Sequence, residues 1–405
     1  MRKMILSIAL ILSCSLYITL VAQMTMPTFG KGLQITSQDS SLYLKMGFRF
    51  QTLFLNVWNL KDDELSSLEK LESSVFIRRA RLKLSGWALS PKLKYKCELA
   101  LSNRDNGGGN SATYSNAANI ILDAYLDWNF YKNLSIRIGQ QKMPGNRERI
   151  ISSGNLQFVD RSRLNSRFNL DRDVGIILNN QQQLGAKFIV KETFAISSGE
   201  GKNITSGNVG GVNYTFKLEA FPFGKFQSKG AYSGSAVKME KNPKLALAMA
   251  YDINQNAGRE RGQKGSFITT PDGVAVGKDL HTLFADLMFK YKKLSIMAEY
   301  VKRTTEDGKS NVFFEDIPEP VGTYYTGSAI NLAIGYMLKN QWEIASRWTS
   351  VHPDEGVANE ENQYTLGLSK FIVGHKLKIQ TDLTYRSIDT TEDALIFRLQ
   401  VDFHF

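Results

Sequence analysis

The sequence of 405 residues is poor in the side chains that most enzymes and metal proteins depend on. It contains two cysteines, Cys14 and Cys97, and four histidines that are scattered among different segments: His281, His352, His375 and His404. Clustered histidine and cysteine ligands for a metal are absent from this pattern. A G-x-S-x-G stretch with a nearby base is absent as well. We therefore predict no catalytic residues, no metal site, no cofactor and no enzymatic activity.

Long apolar runs are also missing beyond the N-terminus. A helical membrane span needs about 18 uninterrupted apolar residues, and no later segment has them. The one extended apolar stretch follows Arg2 and Lys3 and reaches the small residue Ala22. This order is typical of a secretory signal peptide. We predict that residues 1–22 are removed and that residues 23–405 form one mature domain. The alternative is an N-terminal membrane-anchoring helix.

Acidic residues are fewer than basic ones, 39 against 50, and the formal net charge is +11. A basic balance usually indicates nucleic acid or an acidic surface as the partner. Because an exported chain does not meet nucleic acid, we expect no nucleic-acid partner and look for small anions instead.

What the chain has in abundance is alternation of apolar and charged residues with a period of two. The stretch FIRRARLKLSG, residues 76–86, shows it most clearly. Its apolar parity holds Phe76, Ala80, Leu82 and Leu84, and its cationic parity holds Arg79, Arg81 and Lys83. Successive side chains of a strand point to opposite faces, so this segment is apolar on one side and cationic on the other. The second face is too charged for the core of a soluble protein.

Sixteen segments of this kind follow one another along the chain. They are residues 41–51, 76–86, 92–102, 119–130, 133–142, 174–180, 185–197, 211–221, 244–253, 280–291, 293–303, 328–338, 341–351, 363–372, 375–387 and 394–405. Short links between them alternate with long polar stretches at 56–74, 103–118, 143–173, 198–210, 254–279, 304–327 and 352–362. The alternation of short and long links predicts a short link at 222–243, but this link is long.

Strands can cross hydrocarbon only when they close into a cylinder, because lipid offers no hydrogen-bond partner to a free strand edge. Short turns on one rim and long loops on the other are typical of an outer-membrane barrel with an even strand number. We therefore predict an all-β fold, a transmembrane antiparallel β-barrel of sixteen strands. Its apolar parity faces the outer-membrane lipid and its charged parity faces a water-filled lumen.

The parity that faces the lumen carries more cations than acids, which predicts a preference for anions. The candidate channel-lining residues on the early strands are Arg79, Arg81, Lys83, Lys92, Lys94, Lys96 and Arg137. The alternative interpretation is that such wall charges pair off across neighbouring strands. Arg78 breaks the alternation, since it shares the parity of Phe76. We expect it either at the outer membrane interface or at a contact between subunits.

The third long connection, 143–173, is the longest and is rich in arginine. Its candidate anion-binding residues are Arg161, Arg163, Arg167 and Arg172. Apolar residues such as Phe158 and Phe168 favour packing of this loop against the barrel wall, so we predict that it folds into the lumen. Its guanidinium groups would match the oxygens of phosphate or carboxylate there. The alternative is a solvated external loop.

Several stretches together resemble the phosphate-selective porins O and P. They are FIRRARLKLSG (76–86), LSIRIGQQKMPG (134–145), LQFVDRSRLNSRFNLDRDVGI (156–176), YTFKLEAFPFG (214–224), KLSIMAEYVKR (293–303), MLKNQWEIASRWTS (337–350) and LGLSKFIVGHKLKIQTDLTY (366–385). The resemblance implies a trimeric porin in the outer membrane of a Gram-negative bacterium. It also implies a bore narrowed by the third loop, with phosphate or polyphosphate among the solutes. Arg79, Arg81 and the loop arginines correspond in character to the arginines that bind phosphate in that family.

Two other functions remain open on the sequence alone. The first is a structural or adhesive barrel of little conductance, because fold alone does not fix function. The second, a barrel enzyme, lacks the clustered side chains that it would need. We expect the channel in preference to both.

Overall fold

The computed structural model describes residues 23–25, 28–60, 68–106, 119–204, 211–314 and 317–405, and it contains a closed antiparallel β-barrel of sixteen strands. The strands are β1 (Leu42–Leu60), β2 (Leu68–Ala88), β3 (Ser90–Ala100), β4 (Ile121–Tyr131), β5 (Leu134–Lys142), β6 (Arg172–Leu184), β7 (Phe188–Ser197), β8 (Asn213–Phe221), β9 (Glu240–Ala257), β10 (Lys278–Lys292), β11 (Leu294–Thr305), β12 (Gly327–Met337), β13 (Trp342–Pro353), β14 (Glu361–Phe371), β15 (Leu377–Ile388) and β16 (Ala394–His404). The last strand pairs with the first along its whole length, which closes the sheet without an edge. The predicted fold class and strand number are confirmed.

The remaining elements are short. Helices α1 (Asn103–Asn106), α2 (Arg147–Ile150) and α3 (Arg163–Phe168) lie in long connections. Three 3₁₀ turns span Ser153–Asn155, Gln227–Tyr232 and Lys339–Gln341, and short strand pairs join Gln23–Thr25 to Leu33–Thr36 and Asn311–Val312 to Gly322–Thr323. Among the described residues no helix is both long and apolar enough to span a membrane. The predicted signal peptide, residues 1–22, lies outside the described residues.

The barrel is apolar outside and polar inside. On β12 the exposed side chains Leu332, Ile334 and Tyr336 alternate with buried Asn331 and Ala333. The period of two in the sequence therefore becomes two surfaces, one suited to hydrocarbon and the other to charged groups. Soluble sheets place their apolar face inward, so this inverted arrangement explains why the charged parity tolerates so many cations.

The two rims differ in the length of their connections. One rim, called here the short-turn rim, carries tight links such as 132–133 and 185–187, whereas the long-loop rim carries connections such as 143–171 and 258–277. The predicted loop 56–74 is an exception, because β1 and β2 extend through most of it. Strand boundaries at this rim were therefore predicted wrongly, although the strands themselves were found.

A β-bulge at Arg78 reverses the alternation of β2 at its middle. Gln51 pairs with Arg79 and the next residue of β1 pairs with Ile77, so Arg78 has no partner opposite it. Beyond the bulge the exposed residue is Ile77, while Phe76 is less exposed and lies beneath the guanidinium of Arg104, 5.5 Å from its ring centre. The prediction that Phe76 shares the lipid face with Ala80 is therefore wrong. An extra residue in one strand puts the residues before it out of step with the residues after it, so Phe76 and Ala80 lie on opposite faces. In the sequence Arg78 breaks the alternation, but a bulge is not the only arrangement that gives such a break.

The bulge also decides the position of Arg78. Its guanidinium donates a hydrogen bond to Asp160 of the connection 143–171, at 3.0 Å from Nη2 to Oδ1. Both predicted locations, the membrane interface and a subunit contact, are therefore wrong. Arg78 and Arg79 point to the same side because the bulge places two successive residues against one partner.

This arrangement predicts a sharp difference in thiol labelling between neighbouring residues. In a Cys97→Ser background, Arg78→Cys should react readily with a charged, membrane-impermeant thiol reagent, whereas Ile77→Cys should react poorly because it faces hydrocarbon. Mass spectrometry of the protein in lipid vesicles measures the labelled fraction. Faster labelling at position 77 than at position 78 would contradict the bulge.

Candidate functional site

The connection 143–171 is fastened to one side of the barrel by buried charges. Arg147 is fully buried, and its Nε donates to Asp286 of β10 at 2.6 Å. Its other guanidinium nitrogens reach Glu219 of β8 at 3.4 Å and the carbonyl oxygen of Ala231 at 3.1 Å. Lys217 of β8 donates to the carbonyl oxygen of Gly145 at 2.6 Å. Burying these charges is tolerable only because each is paired.

The same connection also contacts the last strands of the barrel. Asp382 of β15 accepts a hydrogen bond from the backbone nitrogen of Val159 at 3.0 Å, and Gln380 donates to the carbonyl oxygen of Gln157 at 2.8 Å. Apolar side chains support these bonds, since Leu164 and Phe168 are fully buried within the cluster that contains Phe284 and Val301. Residues 143–171 are thus held by β8, β10, β11 and β15 from several directions.

A second connection, 222–239, approaches from the short-turn rim and meets the first. The backbone nitrogen of Gly234 donates to the carbonyl oxygen of Asn155 at 2.9 Å. Lys290 of β10 donates to the carbonyl oxygens of Ser233 and Ser235 at 2.8 and 2.7 Å. The sequence predicted a short link at this position, and the connection is longer than predicted. Its additional residues contact the connection 143–171 and Lys290.

The other side of the connection 143–171 faces a cavity of about 620 Å³, called here the basic cavity. Fourteen cationic side chains line it: Arg78, Arg79, Arg81, Arg104, Lys142, Arg149, Arg161, Arg163, Arg172, Lys202, Arg261, Lys264, Arg386 and Arg398. Four carboxylates line it as well: Asp105, Asp160, Asp171 and Glu361. The surplus of positive charge is far larger than in the composition as a whole.

A second cavity of about 270 Å³, called here the wall cavity, adjoins the first along β2–β8. The two cavities share Arg81, Lys142, Ser153 and Arg172 in their linings. These four side chains therefore lie where the two cavities meet.

Some cations of the basic cavity are neutralised by neighbouring carboxylates. Arg81 pairs with Glu98 at 2.9 Å and also with Asp105, and Arg172 pairs with Asp123 at 2.6 Å. Pairing across neighbouring strands, the alternative interpretation of the wall charges, is thus correct for Arg81, whose partner Glu98 lies on the adjacent strand β3. Both arginines are held in fixed orientations as a result.

Other cations of the basic cavity have no ion pair among the described residues. The ammonium group of Lys142 donates to backbone carbonyl oxygens, the nearest being that of Arg149 at 2.6 Å. Arg161 donates to the carbonyl oxygens of Glu148 and Ile151 at 2.9 and 2.7 Å. Carbonyl oxygens carry no formal charge, so neither side chain is neutralised by an ion pair at the cavity.

The crowding of cations changes the proton affinity of several loop side chains. Burial and the neighbouring positive charge of Arg172 lower the pKa of Lys202 to about 8. Burial is also the main reason that the pKa of Arg161 falls to about 10 and that the pKa of Lys264 lies well below its usual range. A lowered pKa in a basic group means that its charged form is disfavoured, as expected where positive charge is uncompensated. A bound anion would relieve that cost.

The cavities bring together most of the side chains predicted from the sequence. Arg79, Arg81, Arg161, Arg163 and Arg172 line the basic cavity, and Arg81, Lys83, Lys96, Arg137 and Arg172 line the wall cavity. Lys92 and Lys94 are exposed and line neither cavity. Arg167 lines neither cavity and lies over the ring of Tyr325, 5.0 Å from its centre.

The structure adds basic residues that the predicted site did not include, among them Lys142, Arg149, Lys202, Lys264 and Arg386. Lys142 stands at the last position of β5, where the strand leads into the connection 143–171. Arg149 lies in the same arginine-rich connection, and Arg386 lies on β15 within the predicted segment 375–387. Lys202 and Lys264 lie on connections distant in sequence, which meet the others only when the barrel closes.

The sequence model of one protein family, described as phosphate-selective porin O and P, matches residues 45–403. Among curated proteins, an uncharacterized protein of Aquifex aeolicus (strain VF5) is 23% identical over 366 residues, which is 83% of this chain and 82% of that protein.

Solved structures share the architecture at low sequence identity. An anion-selective porin from Comamonas acidovorans superposes with a TM-score of 0.52 at 12% identity, over 89% of this chain and 99% of that one. The outer membrane channel DcaP of Acinetobacter baumannii gives a TM-score of 0.53 at 11% identity, over 91% and 99%. The trimer form of OmpT of Vibrio cholerae gives 0.50 at 10% identity, over 89% and 99%.

Proposed function

The chain belongs to the phosphate-selective porin O and P family and is an outer-membrane porin, and from this premise we propose that it forms a water-filled, anion-preferring diffusion channel. Family and fold both point to a channel rather than to an enzyme.

The observation that carries the proposal is the charge of the basic cavity. Fourteen cations face four carboxylates there, and Lys142 and Arg161 donate to carbonyl oxygens and form no ion pair among the described residues. Charged groups that line a bore set the sign of the ions that pass. The connection 143–171 narrows the bore in this proposal, and every permeating ion passes close to its arginines.

Phosphate or polyphosphate is the solute that we propose. Guanidinium groups offer forked donors that match the oxygens of these ions, and arginine is the commonest residue around the basic cavity. The anion-selective porin from Comamonas acidovorans shares the fold, which is consistent with this chemistry although its sequence is distant.

A homotrimer embedded in lipid is the assembly that we propose. The outer surface carries exposed apolar side chains around the whole barrel, for example Leu218 on β8 and Leu366 on β14. Such a surface is compatible with both lipid and neighbouring subunits. The OmpT structure that resembles this chain is a trimer form.

A planar bilayer tests the proposed function directly. Under a potassium chloride gradient, the purified protein should conduct with a reversal potential of the anion-selective sign. Cation selectivity would contradict the proposal, and a silent barrel would favour a structural or adhesive role.

The selectivity should weaken as pH rises through about 8. The pKa of Lys202 is about 8, so its side chain is charged below that pH and neutral above it. The pKa of Lys264 is also lowered, so its charge is lost at a lower pH than that of an ordinary lysine. Between about pH 7 and pH 9 most of the positive charge of Lys202 should be lost. Reversal potentials measured across that range should shift towards zero.

The matched control replaces both lysines with arginine, which stays charged over this range. The variant Lys202→Arg/Lys264→Arg should show a flatter pH profile than the wild type. Equal pH profiles for the two proteins would assign the titration to other groups.

A further inference from the structure

Asp160 is the acid that contacts two successive arginines of the basic cavity, Arg78 and Arg79. Its carbonyl oxygen accepts a hydrogen bond from Arg347 of β13 at 2.9 Å, and the preceding residue, Val159, is bonded to Asp382. The backbone at this position is therefore fixed from two strands. The side chain itself is 26% exposed and lines the basic cavity.

The carboxylate of Asp160 lies between Arg78 and Arg79. Its Oδ1 is 3.0 Å from Nη2 of Arg78 and 3.6 Å from Nη2 of Arg79. Both arginines reach the same oxygen because the β-bulge at Arg78 turns two successive side chains inward.

The donors of Arg79 are incompletely used. Its side chain is only 4% exposed, and Nη1 donates to Gln51 at 2.6 Å, but Nε has no hydrogen-bond partner among the described residues. A buried donor without a partner is costly. The pair formed by Arg78 and Arg79 thus has the positive charge that attracts a small oxyanion, and one buried donor of Arg79 is left unused.

The carboxylate is ionised in this setting. Burial alone would raise the pKa of Asp160, but the charges of Arg78 and Arg79 outweigh it and hold the pKa below its ordinary value. The protein therefore carries its own anion at the position where a permeating anion would find the strongest donors.

We propose that Asp160 is a tethered competitor, whose carboxylate occupies the Arg78–Arg79 pair and weakens the binding of phosphate there. This inference rests on the proposed anion channel. A group fixed to the channel is present at high effective concentration, so a free anion must displace it to reach the two arginines. Conduction needs binding that is weak enough for the ion to leave. Asp160 provides this weakening.

The substitution Asp160→Asn tests the proposal because it removes the charge and keeps the volume. Inorganic phosphate is added to a chloride solution in a planar bilayer, and the concentration that halves the chloride current is measured. Neutralising a charge in contact with the site should lower this concentration about tenfold or more, since a neighbouring charge at this distance changes equilibria by one to three powers of ten.

The matched control is Glu361→Gln, which makes the same change of charge in the same cavity. Glu361 pairs with Arg163 at 2.5 Å and forms no ion pair with Arg78 or Arg79 among the described residues. We expect its half-blocking concentration to fall by no more than about twofold, because its partner is Arg163 and it has no contact with the Arg78–Arg79 pair. An equal fall in both variants would show a general effect of net charge and overturn the proposal.

A double variant separates competition from a change in loop position. Adding Arg79→Gln to Asp160→Asn should abolish the gain in phosphate block, because the liberated donors are then absent. A gain that persists in the double variant, or no gain in Asp160→Asn, overturns the proposal. Calorimetric titration of inorganic phosphate into the detergent-solubilised proteins should give the same ranking without any need for conduction. A cation-selective wild type would instead contradict the proposed function, so the two failures are distinguishable.

Discussion

The double substitution Lys142→Met/Arg161→Gln should abolish most of the anion preference of the channel and move its reversal potential close to that of a non-selective pore. Both side chains donate to backbone carbonyl oxygens and form no ion pair among the described residues. Lys142 also lies in the lining shared by the basic cavity and the wall cavity, on the path that the proposed channel gives to a permeating ion. In a site of low dielectric constant, an unpaired charge acts on an ion far more strongly than it would in water.

The control for this prediction is Lys92→Met/Lys94→Met, which removes the same net charge. These lysines are exposed and line neither cavity, so salt should screen them. Reversal potentials in a potassium chloride gradient compare the two variants with the wild type. If the control variant loses as much selectivity as the cavity variant, the basic cavity is not the selective region.

The substitution Arg147→Met should release the connection 143–171 from its side of the barrel and raise single-channel conductance. Arg147 is fully buried between Asp286 and Glu219, and removing one partner of a buried ion pair costs about 3–5 kcal/mol. The lower end, about 3 kcal/mol, applies here because Lys217 still pairs with Asp286 at 3.2 Å and Lys191 with Glu219 at 3.1 Å.

Two measurements check this release. Single-channel recordings should show a larger conductance, and trypsin should cut the connection 143–171 faster in the variant than in the wild type. The control is Arg167→Met in the same connection, where the guanidinium lies over Tyr325 and forms no ion pair among the described residues. Loss of that contact should cost about 0.5–1 kcal/mol. Conductance and proteolysis that match the wild type in Arg147→Met would show that the connection is held by other contacts.

The barrel was predictable from the sequence because lipid and water impose opposite demands on alternate residues. Sixteen segments obey the period of two, and each is found as a strand. The sequence marked Arg78 as the residue that breaks the alternation, but it did not show that a bulge is the cause, because an arginine at the membrane interface or at a subunit contact would give the same pattern. Only the pairing with β1 reveals that Arg78 is the unpaired residue.

The candidate site was predictable only where its residues lie on strands or in the arginine-rich connection. Arg79 and Arg81 were found in this way. The contact of Asp160 with Arg78 and Arg79 was not, because the two arginines lie about eighty residues earlier in the chain and meet Asp160 only in three dimensions. In the sequence, an acid among the arginines of this connection is expected to pair with one of those nearby arginines rather than with residues of β2.

The long reach of the connection 143–171 has a consequence for the order in which the protein folds. Lys378 and Gln380 of β15 bond to the carbonyl oxygens of Leu156 and Gln157, across 222 and 223 residues of chain. Contacts this distant form late, since the intervening chain must first be ordered. The middle of the polypeptide therefore waits for its C-terminal strands before it reaches its final position. A nascent barrel that lacks β15 would be an open sheet with its central connection still unanchored on that side.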